Sequence, residues 1–101
     1  MKPQLTAKCY DRQGRLISQA GNSYHKTHPI QAHFAKMVGM DDRIYLHAEV
    51  AALLKCGVKK PHSIHIERRK RDGSLGTAKP CKICDAAIKH WGVKYVTFTV
   101  G

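Results

Sequence analysis

The sequence predicts an α/β domain: a minimal mixed sheet, an antiparallel hairpin plus parallel strands, with helices packed on it. Three observations carry that expectation. The segment QLTAKCY alternates Leu5, Ala7 and Cys9 against Thr6, Lys8 and Tyr10, the period-2 pattern of a half-buried strand. Three segments with helical character each stop at a glycine: Gly39, Gly57 and Gly92. The last two strand-like segments have a helix between them, which predicts a parallel, right-handed crossover.

In chain order, QLTAKCY (4–10) turns at DRQG and returns as RLISQAG (15–21), an antiparallel hairpin. NSYHKTH (22–28) reads as a polar loop. PIQAHFAKMVG (29–39) reads as a helix, with Pro29 in the first position and Gly39 at its end. Its predicted apolar face is Ile30, Phe34, Met37 and Val38, at i, i+4, i+7 and i+8. MDDRIY leads to a second helix over 47–56. PHSIHIER (61–68) is a strand with Ile64 and Ile66 on one face, and RRKRDGSLGTAK a basic loop. A third helix spans 81–91 after Pro80, and VKYVTFTV (93–100) is a β-branched, aromatic final strand. The order is ββ-α-α-β-α-β. There is no repeat and no low-complexity tract, so residues 1–101 form a single domain, the default at this length.

Charge narrows the partners. Eighteen Lys and Arg against seven Asp and Glu give a net charge of +11. Such a balance favours anionic partners: nucleic acid, nucleotides or acidic lipid. MKPQLTAKCYD lacks the apolar core of a secretory signal, and no apolar run approaches the roughly 20 residues of a membrane span. The expectation is a cytoplasmic protein with no membrane partner, where four cysteines stay reduced.

Within that frame Cys81 and Cys84 stand out. Three residues apart, they fall on one face at the start of a helix, where the helix dipole favours thiolates. Two thiolates need further ligands to complete a zinc site, and His47, at the start of the other helix, offers a third. The fourth corner stays open, as in catalytic sites. Cys56 lies more than two turns beyond His47, and Cys9 on a strand reads as a small buried apolar residue. Glu49 supplies a carboxylate for general acid–base work beside a metal. On an ideal helix it would point about 200° from residue 47, so the two flank a metal only at a frayed first turn. A C-x-x-C pair alone also fits a redox protein, and a His near a helix start is commonly a cap.

The spacing HAE (47–49) with PCKIC (80–84) resembles the H-x-E…P-C-x-x-C signature of the zinc-dependent cytidine deaminase superfamily. The likeness runs in order through most of the chain. It implies the family's three-layer fold and one Zn²⁺ per chain held by His47, Cys81 and Cys84. It implies Glu49 as the proton shuttle, and Ala48 as a backbone contact to the base. An Asn after the second strand contacts the sugar in that family, which points to Asn22; a turn residue closing the hairpin is the other reading of Asn22. Tyr24 in the following loop is a candidate to stack on a base, with His25 or His28 to meet a phosphate or sugar; plain solvated loop residues are the other reading of all three. Lys79 stands where many relatives have Glu or Ser, adding positive charge beside Pro80 at the pocket. Relatives acting on polynucleotides continue beyond the last strand and carry a helix before the hairpin. Their absence here implies exposed edges and a homo-oligomer.

The resemblance implies hydrolytic conversion of cytosine to uracil. The basic run Arg68, Arg69, Lys70 and Arg71 favours single-stranded DNA or RNA. A phosphorylated free nucleotide comes next, then a nucleoside or adenine in RNA. A non-catalytic, zinc-stabilised nucleic-acid-binding module is the reading from another class. Trp91 is a further stacking candidate or, at a helix end, a core residue.

Overall fold

The computed structural model describes residues 4–23, 25–40 and 45–101. Eight elements follow in order: β1 (Gln4–Tyr10), β2 (Leu16–Gly21), α1 (Pro29–Met37), α2 (Ala48–Lys55), β3 (Ser63–Arg69), β4 (Leu75–Gly76), α3 (Lys82–His90) and β5 (Tyr95–Phe98). β1 pairs antiparallel with β2 on one edge and with β3 on the other. The far edge of β3 is shared. β4 pairs with it antiparallel at Arg68 and Arg69, and β5 runs parallel to it from Ser63 to Ile66. The sheet is thus predominantly antiparallel, with one parallel pairing across the β3–α3–β5 connection.

The period-2 pattern decides which face is covered. Ala7 and Cys9, Ser18 and Ala20, and Ile64 and Ile66 are all buried on one side. They join a single core with Phe34 of α1, Val50 and Leu53 of α2, and Ile83, Ala87 and Ile88 of α3. Thr6, Lys8, His65, Glu67 and Thr97 point the other way, and none of them is buried. Among the described residues the arrangement is therefore two layers, helices on one sheet face. The expected three-layer packing is corrected here: the outward strand positions are polar and attract no covering helix.

α2 forms because AEVAALLK is rich in Ala and Leu, strong helix formers. Six of its eight residues are buried, from Ala48 to Leu53, so packing adds to propensity. Gly57 then adopts φ +58°, a left-handed stop.

Two local readings change. The segment after β3 is a hairpin, not a loop. Gly73 takes φ +88°, Lys70 N–H donates to the Ser74 carbonyl at 2.8 Å, and Asp72 Oδ1 accepts from Ser74 N–H at 2.9 Å. The Asp-Gly pair inside RRKRDGSLG is the turn signal responsible. The buried face of α1 is Gln31, Phe34 and Ala35, while Met37 is 63% exposed. Of the predicted face, Phe34 is buried and Ile30 and Val38 pack partly against the core, so Met37 alone departs from it, while Gln31 is engaged at the start of α2.

Leu53 has no exposed surface and sits at the centre of this core. Leu53→Ala is expected to lower unfolding free energy by about 2–5 kcal/mol in urea titrations. Val58→Ala, at a fully exposed position, should stay within about 0.5 kcal/mol.

Candidate metal centre

Two helix starts meet at the site. His47 precedes α2 in extended backbone (φ −79°, ψ 154°), and Cys81 precedes α3 likewise (φ −72°, ψ 173°). Cap positions normally hold Ser, Thr, Asp or Asn, and giving them up costs about 1 kcal/mol each. Here they hold a His and a Cys, and the His47 side chain makes no capping bond. Because His47 lies outside the helix, the 200° separation expected from Glu49 does not apply. Its extended backbone lets the imidazole swing toward α3.

The donor atoms converge. His47 Nδ1 lies 3.2 Å from Cys84 Sγ and 3.5 Å from Cys81 Sγ. All three ligand atoms fall within 4.8 Å of one another. A tetrahedral metal with bonds of about 2.05 Å to nitrogen and 2.3 Å to sulfur would hold N and S about 3.6 Å apart. The observed spacing fits with small adjustments. Among the described residues these three are the only His, Cys, Asp or Glu side chains grouped for a metal.

Electrostatics favours a thiolate in the group. The Cys84 thiol donates to Cys81, holding it down at about 4 against the opposing effect of burial, and His47 helps. Cys84 is pushed up, first by that same bond and then by burial. Glu49 is 5% exposed, and burial pushes its carboxyl above the usual range. A backbone N–H, and then the nearby His47 and Cys84, act in the other direction, and Glu49 lines the same cleft as His47 and Cys81.

Gln31 is a participant that the sequence reading missed. It has no exposed surface, and its Oε1 accepts from His47 N–H at 3.2 Å. Its Nε2 is buried with no hydrogen-bond partner among the described residues. A glutamine at i of the i, i+3, i+4 set that buries Phe34 and Ala35 was the available signal. A buried amide is costly unless bonded, so a polar residue on that face needs a partner.

A cleft of about 290 Å³ opens onto the centre, lined in part by His47, Glu49, Cys81, Leu5, Arg68 and Lys79. That volume is at the small end of small-molecule sites, roughly 300–1,000 Å³. Asn22 stands one residue away from this lining. Its Oδ1 accepts from Leu5 N–H at 3.0 Å and its own N–H donates to the Leu5 carbonyl at 3.1 Å, closing the hairpin. Ala48 is fully buried in the first turn of α2. Pro80 lines a neighbouring groove with Val96 and Phe98. Tyr24 lies outside the described residues.

The basic run splits. Arg68 lines the cleft, while Arg69 bonds Glu67 at 3.1 Å and the Gly73 carbonyl at 3.1 Å. Lys70 and Arg71 are exposed in the β3–β4 turn. His28 Nδ1 caps α1 by accepting from Ile30 N–H at 3.1 Å. Trp91 packs near Phe34 at the far end of α3. Cys9 and Cys56 are core residues, and burial pushes the Cys9 thiol up to about 12. No described helix is long and apolar enough to cross a membrane.

Among known proteins, no family model and no curated sequence matches the chain.

Purified under reducing conditions, the protein is expected to carry about one metal equivalent by elemental analysis, and Cys84→Ser to lose most of it. Gln31→Leu keeps the volume but removes the acceptor for His47 N–H. It should weaken metal binding by about 10- to 100-fold in chelator competition, the usual effect of a residue that orients a ligand.

Proposed function

We propose that this chain is a zinc-dependent hydrolytic deaminase of the cytidine-deaminase type, converting cytosine to uracil in single-stranded nucleic acid. The observation that carries the reading is the convergence of His47, Cys81 and Cys84 with a buried carboxylate, Glu49, beside them. A cleft opens onto the same group. One imidazole and two thiolates are a donor set zinc takes readily, and three protein ligands leave a coordination position for chemistry.

A bound zinc ion supplies Lewis acidity, bringing the pKa of a water from 15.7 to about 7. The chain's own residues do the rest. His47, Cys81 and Cys84 would hold the ion, with His47 and Cys81 on the cleft lining. Glu49 accepts a proton from the attacking water, delivers it to ring N3 and then moves a proton to the exocyclic amine. Water adds at C4, the C4–N bond breaks and ammonia leaves. A carboxyl whose burial raises its pKa is a stronger base than a solvated one, which suits this work.

A cleft of about 290 Å³ has room for a single base, which calls for a single-stranded or extruded nucleotide. The net charge of +11 supports a phosphate-bearing substrate. Self-association belongs to the same reading: Leu75, Tyr95 and Val96 are exposed along the β4–β5 edge of the sheet.

The test is ammonia release from a cytosine-containing oligonucleotide, dCMP and deoxycytidine. Glu49→Gln should keep its metal and lose about 10²–10⁴-fold in rate. A metal-loaded wild type that deaminates none of the three leaves a zinc-stabilised binding module instead.

A further inference from the structure

We propose that Arg68 is the residue that recognises the phosphate of the nucleotide whose base enters the cleft. The inference rests on the deaminase reading for the identity of the base, and on independent geometry for the phosphate. β3 alternates, so Ile64, Ile66 and Arg68 share the core face. Ile64 and Ile66 are covered by helices, but Arg68 lies farther along the strand and lines the cleft that opens onto His47 and Glu49. The strand that builds the core therefore delivers a guanidinium to the edge of the metal centre.

The side chain is guided there. Arg68 faces Gly76 across the β3–β4 pair. A Cβ at Gly76 would sit 3.2 Å from both Arg68 Cδ and Lys70 Cγ, so glycine leaves room for these two stems. The Arg68 Nη1 then lies 3.5 Å from the Thr77 carbonyl, on the segment leading to Lys79 and Cys81. The backbone of Arg68 is fixed as well, its N–H donating to Thr99 Oγ1 at 3.1 Å.

Among the described residues no carboxylate pairs with this guanidinium. The three ion pairs among the described residues are Arg15–Asp11, Arg69–Glu67 and Lys89–Asp85. Lys79, also on the cleft, adds to the positive field. Glu49 is the one acidic side chain in the described lining, and it is buried. A guanidinium offers paired N–H donors matched to phosphate oxygens, and it loses less to desolvation than an ammonium. The ligand class is thus a phosphate ester one sugar away from the base, whether a terminal monophosphate or a phosphodiester. Arg69, although adjacent, faces the opposite side of the sheet and is bound to Glu67.

The experiment measures binding, in metal-loaded protein carrying Glu49→Gln so that ligand is not consumed. Deoxycytidine, dCMP and a short single-stranded oligonucleotide with one internal cytosine are titrated calorimetrically. The parent should bind the phosphate-bearing ligands more tightly than deoxycytidine. Arg68→Ala should lose about 10- to 100-fold of that preference while leaving deoxycytidine binding unchanged, which also certifies the fold. Arg68→Lys should retain part of it, and Arg69→Ala all of it. Dependence confined to dCMP identifies a terminal phosphate, and dependence with the oligonucleotide a diester. No preference in the parent, or one that survives Arg68→Ala, overturns the assignment. Because the readout is affinity, it is separate from the deaminase reading, which fails only if the wild type releases no ammonia.

Discussion

The approach of one imidazole nitrogen to two sulfurs is the constraint around which the molecule is arranged. These atoms come from residues 34 and 37 positions apart in the chain. Two helices must therefore begin at the same point in space. The sheet makes that possible. β1 and β2 support α2, and the crossover from β3 to β5 positions α3 beside it. Gln31 adds a third helix to the assembly by holding the His47 backbone. Each of the two converging helices gives up a conventional cap residue, so some local stability is exchanged for a donor atom.

Burial sorts the four cysteines without reference to motif. Cys9 and Cys56 are buried in the core, and burial pushes the Cys9 thiol up. Cys81 is half-exposed at a helix start, where hydrogen bonds and the helix dipole favour the charged form. The same element thus behaves as packing material in one place and as a ligand in another. The difference is full burial at Cys9 against partial exposure at Cys81, where Cys84 and His47 lower the thiol.

Much of the frame was legible because it follows from short-range periodicity. The β1–β2 hairpin, the three helices and β3 all announce themselves by alternation or by Pro and Gly punctuation. The convergence of His47, Cys81 and Cys84 was legible through spacing, and it depends on residue types with few other uses in that pattern. What escaped was decided by tertiary contact. In α1 the apolar pattern finds Ile30, Phe34 and Val38, which pack on the core, but includes the exposed Met37 and misses Gln31, which bonds the start of the next helix. The run Arg68–Arg71 is uniform as sequence, yet pleating sends adjacent arginines to opposite faces, and one meets a glutamate there. The number of layers also depends on what covers the outer sheet face, a property no single strand encodes.

Where β4 and β5 share the edge of β3, the ladder of main-chain bonds has a seam. Thr99 mends it: its hydroxyl receives the Arg68 N–H and donates to the Gly76 carbonyl at 2.7 Å. A side chain has taken over duty from a missing main-chain neighbour. Position 99 is consequently selected for a hydroxyl by architecture, so serine is admissible there and valine, though nearly the same shape, is not. The hydroxyl of Thr99 thus serves the sheet as masonry.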